Sequence, residues 1–196
     1  MKKEIIIASN NEGKIKEVQQ ILEEYNVIPM KCLGIEVEVD EDQETFSGNA
    51  IRKAETIANF LEGKVCLADD SGIEIEFLNG LPGVHTKRWF KGTNRERNLA
   101  ILEKLKGVEK KNRKVRVVTA IAMSNGKNTI CEEAVIKGYV AESPKGENGF
   151  GFDEIIELEN GKTLAELSKK EKNEISSRKK ALILIKEKLL ENNIEF

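Results

Sequence analysis

Apolar residues fall along this chain in two rhythms, short runs of branched residues and longer stretches at helical spacing. Glu4 to Ala8 is a branched run closed by polar Ser9-Asn10-Asn11, the pattern of a buried strand. From Gly13 to Tyr25, Ile15, Val18, Ile21 and Leu22 recur with the period of a helix. Val27 to Met30 and Ile35 to Val39 read as further strands. Phe46 to Leu61 reads as a helix with Ala50, Ala54, Ile57, Ala58 and Leu61 on its inner face. Lys64 to Ala68 is a strand that runs into Asp69-Asp70-Ser71-Gly72, after which Ile73 to Phe77 continues extended, and Leu81-Pro82-Gly83 is a turn. Asn94 to Leu105 is helical. Lys114 to Ser124 and Thr129 to Val140 are long strands flanking the Ser124-Asn125-Gly126-Lys127 turn, a hairpin pattern. A Gly-rich loop from Ser143 to Asp153, a short helix from Thr163 to Leu167 and a closing helix from Ser176 to Leu190 complete the chain. Strands and helices alternate early and a long hairpin follows, which predicts an α/β protein with a mixed sheet. No repeat, linker or low-complexity tract interrupts it, so residues 1–196 are expected to form a single domain, with room for two lobes.

Composition narrows the class. With 39% hydrophobic and 34% charged residues the chain suits a solvated globule and excludes disorder. The formal net charge of -2 and the absence of a basic stripe argue against a nucleic-acid partner. The basic run Lys110 to Arg116 reads as a solvated connector. Three widely spaced cysteines and the single His85 exclude a zinc site and a disulfide framework; buried, reduced thiols are expected instead. Ile5-Ile6-Ile7-Ala8 is too short for a signal core, and no apolar run nears the roughly 20 residues of a membrane span. A cytoplasmic protein without membrane contact is the expectation.

Five segments hold residue types suited to chemistry. Ser9-Asn10-Asn11-Glu12-Gly13-Lys14 lies between a strand end and a helix start, where backbone N–H groups and the positive helix end can hold a phosphate and Lys14 adds charge. Asn and Ser would equally serve there as helix caps. In Asp69-Asp70-Ser71-Gly72, two adjacent carboxylates at a strand end call for a cation, and Mg²⁺ binds to a few carboxylates, water and phosphate oxygens. Glu41, with Asp40, Asp42 and Glu44, precedes a helix, a place that also suits acidic residues through the helix dipole. Gly149-Phe150-Gly151-Phe152-Asp153 sets two rings beside glycines, able to stack on a purine or to anchor the loop. Lys172 and Arg178 flank the start of the last helix.

Taken together and in order, these segments give the chain a resemblance to the inosine triphosphate pyrophosphatase family, the XTP/dITP diphosphatases. The resemblance runs nearly end to end. It rests on Ser9-x-Asn11-x-x-Lys14, Thr45-Phe46-x-x-Asn49-Ala50-x-x-Lys53-Ala54, Asp69-Asp70-Ser71-Gly72, Leu81-Pro82-Gly83, Gly149-Phe150-Gly151-Phe152-Asp153, and Ala165-Glu166-Leu167 through Lys172 to Ser176-x-Arg178. It implies an α/β fold with a long curved mixed sheet, flanking helices and two lobes around a central cleft, usually as a homodimer. It also implies Mg²⁺-dependent hydrolysis of deaminated purine nucleoside triphosphates (ITP, dITP, XTP) to the monophosphate and pyrophosphate, which keeps them out of DNA and RNA.

Carried over by position, Ser9, Asn10, Asn11, Glu12, Gly13 and Lys14 match the phosphate-binding segment, and Lys53 a helix lysine near the phosphates. Glu41 and Asp70 match the metal-associated carboxylates. Asp70 also matches the proton acceptor, and catalysis is expected to rest on Asp70 and Lys14. Ser71 matches a substrate contact, and Phe150, Gly151, Phe152 and Asp153 match the base-binding loop. Lys172, Ser177 and Arg178 match contacts at the base and phosphate end. The chain departs from the family pattern at Ser177, usually His, at Phe152, usually Tyr or Trp, and at Glu154, usually Pro. A weakly catalytic nucleotide-binding regulator, or a pyrophosphatase for other modified nucleotides, is the alternative expectation.

Overall fold

The structure, a computed structural model, describes residues 2–86 and 88–191. In chain order its elements are β1 (Glu4–Ile7), α1 (Glu12–Ile21), β2 (Asn26–Pro29), α2 (Phe46–Phe60), β3 (Cys66–Ile75), α3 (Asn94–Lys104), β4 (Lys114–Ser124), β5 (Thr129–Val140), β6 (Ile156–Glu157), α4 (Lys169–Ile175) and α5 (Ser177–Glu191). The strands hydrogen-bond in the order β2-β1-β3-β4-β5-β6. β1 is parallel to β2 and to β3, whereas β5 and β6 are antiparallel, so the sheet is mixed as the pattern predicts.

The chain divides into two compact units. The first comprises the described residues of Met1–Ser71, Thr119–Ala134 and Ser177–Phe196. Its core gathers Ile5 and Ile7 of β1, Ile15, Val18 and Leu22, Leu67 of β3, and Ala181, Leu182 and Ile185 of α5. Alternate strand residues point to opposite faces, and α2 lays its own buried stripe, Phe46, Ala50, Ala54, Ile57 and Ala58, along the chain. Its alanines are fully buried, which lets the helix backbone approach its neighbours closely. Thr45 caps α2 by accepting from the Gly48 N–H at 3.0 Å. The second unit, Gly72–Val118 and Val135–Ser176, has a separate core of Ile73, Ile75, Ile101, Leu105, Val140, Ile155, Ile156 and Leu164 among others.

Several expectations change. Ile35 to Val39 alternates, with Ile35 buried and Glu36 and Glu38 exposed, but forms no strand; alternation alone makes no ladder without a partner backbone. The two extended pieces around Asp69-Asp70-Ser71-Gly72 are one continuous strand, β3, so the acidic pair lies inside a strand and not at its end. The short helix expected at Thr163 to Leu167 is one 3-10 turn, Leu164–Glu166, closed by a reciprocal cap between Thr163 and Glu166. α4 and the two-residue β6 are additional. The Lys110 to Arg116 run is more than a solvated connector. Arg113 is buried and donates to the carbonyls of Val140 at 2.7 Å, Leu105 at 3.0 Å and Ala141 at 2.5 Å, while Lys110 pairs with Glu157. All three cysteines are free, but only Cys66 is buried; Cys131 is half-buried and Cys32 exposed, against the expectation of buried thiols, and burial pushes the Cys66 thiol up to about 12. No described helix is long and apolar enough to cross a membrane.

Candidate functional site

In the first unit, β1 hands the chain to α1 through the polar segment. Ser9 Oγ accepts from the Asn11 N–H at 3.2 Å, and Asn11 caps α1 by accepting from the Lys14 N–H at 3.2 Å. Asn10, Asn11 and Glu12 are exposed, and Glu12 lies 3.5 Å from Lys31 Nζ. Gly13 and Lys14 stand in the first helical turn, where N–H groups lack partners within the helix.

β3 explains how two adjacent carboxylates coexist. Consecutive strand residues face opposite ways, and Asp69 and Asp70 meet different partners. Lys14 Nζ forms an ion pair with Asp69 Oδ1 at 2.5 Å. Arg178 donates to Asp69 Oδ2 from Nε at 3.1 Å and Nη2 at 2.9 Å, and from Nη1 to Glu17. Ser71, two residues on and on the same face, donates to Asp69 Oδ2 at 2.6 Å and accepts from Arg178 Nη2 at 3.2 Å. Burial alone would raise the Asp69 carboxyl, but the Lys14 and Arg178 charges outweigh it and hold Asp69 far below its ordinary value. Burial lowers the Lys14 ammonium, against the pull of Asp69.

Asp70 meets α2. Asn49 donates to Asp70 Oδ2 at 2.9 Å, and its own Oδ1 accepts from the Gln43 N–H at 3.0 Å, which ties the acidic segment before α2 to this carboxylate. The Lys53 ammonium donates to Glu41 Oε1 at 2.7 Å and to the Asp69 carbonyl at 2.6 Å, and lies 3.4 Å from Asp70 Oδ1. Burial would lower the Lys53 ammonium, but Asp70, Asp69 and Glu41 hold it above its ordinary value. Asp70 is raised, first by burial and then by Glu41, against Lys53 and Asn49. Two acids with one ammonium between them form a hard-oxygen donor set with a cation already standing in it. Among the described residues no group of three or more His, Cys, Asp or Glu side chains is arranged for a metal. Two carboxylates suit Mg²⁺, which keeps water and takes phosphate oxygens rather than an all-protein cage.

The second unit holds the loop of two rings. Asp153 Oδ2 accepts from the Phe150 N–H at 2.7 Å and from Lys172 Nζ at 2.7 Å. Lys172, on α4, also lies 4.5 Å from the centre of the Phe150 ring. Gly149 has φ +79, and a Cβ there would meet Asp153 Oδ2 at 2.1 Å, so only glycine lets the loop close on that carboxylate. The Arg97 guanidinium lies over the Phe152 ring at 5.8 Å, and Asn98 donates to the Gly151 carbonyl.

Thus Ser71, Lys14 and Arg178 gather on Asp69, Glu41 and Lys53 gather on Asp70, and Lys172 joins Phe150 and Asp153. Arg178 is 6% exposed, and its guanidinium is engaged by carboxylates and Ser71. Ser177 opens α5, is 4% exposed, and its Oγ lies 2.8 Å from Thr119 Oγ1. Glu154 accepts from Asn98 at 2.9 Å, a bond that proline could not accept through its side chain. Glu17, Arg97 and Asn98 take part without having been singled out from the sequence, whereas Asn49 and Asp69 stand in its motifs but carry no position-by-position role there. A signal existed for two of them, because Asn49 and Asn98 are polar residues on the inward stripes of α2 and α3.

The chain is similar to known proteins over nearly its whole length. Residues 5–188 match the Ham1 family. A protein of Clostridium tetani named dITP/XTP pyrophosphatase is 41% identical over 195 residues, covering 95% of this chain and 96% of that protein. One of the same name from Bacillus subtilis is 44% identical over 187 residues, covering 92% and 93%. The solved structure of the Staphylococcus aureus Ham1 protein aligns with a TM-score of 0.84 at 37% identity, covering 98% of this chain and all of that one.

Proposed function

The chain belongs to the Ham1 family, and from this we infer that it hydrolyses deaminated purine nucleoside triphosphates (ITP, dITP and XTP) to the monophosphate and pyrophosphate. The observation that carries the reading is the Lys53 ammonium shared by Glu41 and Asp70, beside the phosphate-type turn at Ser9 to Lys14. In this reading Glu41 and Asp70 hold Mg²⁺, which when bound neutralises phosphate oxygens and the leaving pyrophosphate. Asp70 takes the proton of the water that attacks the α-phosphorus. The new O–P bond forms as the bond to the β-phosphate oxygen breaks, and pyrophosphate leaves. The raised Asp70 carboxyl supports that role, since a stronger base accepts a proton more readily. Lys14, Lys53 and the first-turn N–H groups of α1 meet the negative charge of the triphosphate.

The base falls to the loop at Phe150 to Asp153. Hypoxanthine and xanthine carry an acceptor at O6 where adenine carries an amino donor. Loop N–H groups and Lys172 suit the acceptor, and a buried donor left facing another donor rejects the analogue. With Arg178 engaged by Asp69 and Glu17, this task rests on the loop more than on that residue. The free thiols support a reducing compartment, the cytoplasm, and the family resemblance supports a homodimer.

ITP incubated with the protein and magnesium should yield IMP and pyrophosphate in equal amounts, and chelation should stop the reaction until magnesium is restored. Release of orthophosphate with IDP would put the cut at the wrong bond, and turnover in excess chelator would remove the metal from the account.

A further inference from the structure

Asn98 occupies an inward position of α3, 1% exposed and on the same stripe as Ile101, where an apolar residue would ordinarily pack. Its amide nitrogen donates to the Gly151 carbonyl at 2.9 Å and to Glu154 Oε1 at 2.9 Å. Both partners are acceptors, so the amide can sit only this way round. Its own Oδ1 is buried and has no hydrogen-bond partner among the described residues. The bonds to the loop are therefore kept against the cost of an unpaired acceptor.

The Gly151 carbonyl belongs to the peptide that joins Gly151 to Phe152. In a planar trans peptide the N–H points opposite to the C=O. A carbonyl held toward α3 turns the Phe152 N–H away from α3. Arg97, the preceding residue of the helix, lies over the Phe152 ring, which also packs against the core of the second unit. We propose that Asn98 is a positioning residue for base recognition: by fixing the Gly151–Phe152 peptide it aims the Phe152 N–H at the O6 acceptor of the purine and sets the Phe152 ring for stacking. This rests on the reading of the loop as the base site. Glu154 is the second anchor of the same amide.

Asn98→Leu tests this, since it keeps the branched shape and removes the donor together with the unpaired oxygen. Asn98→Asp sets a carboxylate against two acceptors. Both are compared with the parent and with Phe152→Ala, measuring kcat and KM for ITP and ATP, the inhibition constant of inorganic pyrophosphate, and thermal unfolding. KM for ITP should rise about tenfold or more, the factor equivalent to about 1.4 kcal/mol, and the preference for ITP over ATP should fall. The inhibition constant of pyrophosphate, which has no base, should stay unchanged, with kcat moving far less than KM. An unchanged KM for ITP in both Asn98 variants while Phe152→Ala raises it would overturn the role of Asn98 alone. An unchanged KM in Phe152→Ala as well would overturn the base-loop reading beneath it. Parallel rises in KM and in the pyrophosphate constant would show general damage and overturn the proposal.

Discussion

Asp70→Asn is expected to slow pyrophosphate release from ITP by about 10² or more, the scale of lost general-base help, while the fold stays intact. The side chain keeps its shape, and its oxygen can still accept from Asn49. What goes is the charge that Lys53 faces and that completes the pair with Glu41. Thermal unfolding should separate this from damage. Folding raises the Asp70 carboxyl above 3.8, so ionised Asp70 costs stability once the pH exceeds its folded value. At neutral pH a neutral Asn is relieved of that cost but withdraws one counter-charge from the buried Lys53, which keeps Glu41, so the two effects oppose each other and the melting temperature should stay close to that of the parent. A variant within about threefold of the parent rate, less than 1 kcal/mol of barrier, would show that Asp70 neither takes the proton nor holds the metal.

The neighbouring carboxylate should respond in the opposite way. Asp69→Ala leaves the buried Arg178 and Lys14 without their shared counter-charge. Breaking a buried pair by removing one partner costs about 3–5 kcal/mol. In a chain of this size each kcal/mol moves Tm by roughly 2–4 °C, so a fall on the order of 10 °C is expected. The Asp69 carboxyl is depressed by folding, so its contribution is complete above the unfolded value of 3.8 and fades as the pH falls from there toward the folded value. The gap between parent and variant should therefore hold at neutral pH and narrow only in acid. Equal stability at neutral pH would mean that the cluster around Asp69 does not brace the fold.

That contrast marks where the sequence is legible. The stripe from Phe46 to Ala58 and the two strands of the Lys114 to Val140 hairpin carry strong periodicity, and they fold within a residue of the expected bounds. Asp69-Asp70-Ser71-Gly72 reads as a strand end because two acids and a glycine oppose a buried strand. The strand continues because Lys14, Arg178 and Lys53 neutralise the two acids and Asn49 donates to Asp70, and all four lie on helices distant in sequence. Distant pairing of that kind leaves no local mark. α4 is polar except for its last residue, Ile175, so it carries no hydrophobic period, although the reciprocal cap between Ser168 and Glu171 is written in the sequence. The buried role of Arg113 is hidden in the same way, because its partners are backbone carbonyls that any sequence would supply.

The most direct test of the account is the ratio of kcat/KM for ITP to that for ATP, with magnesium and with pyrophosphate as the measured product. In the proposed reading the loop at Phe150 to Asp153 meets the base, and since every purine has a face to stack, stacking cannot separate the two substrates. Discrimination must come from donors that meet O6 and reject the adenine amino group, and a site of that kind gives a ratio of roughly 10² or more. The account predicts such a ratio for ITP and for XTP. Comparable efficiency on ATP would contradict it, and would make the protein a general nucleoside-triphosphate pyrophosphatase.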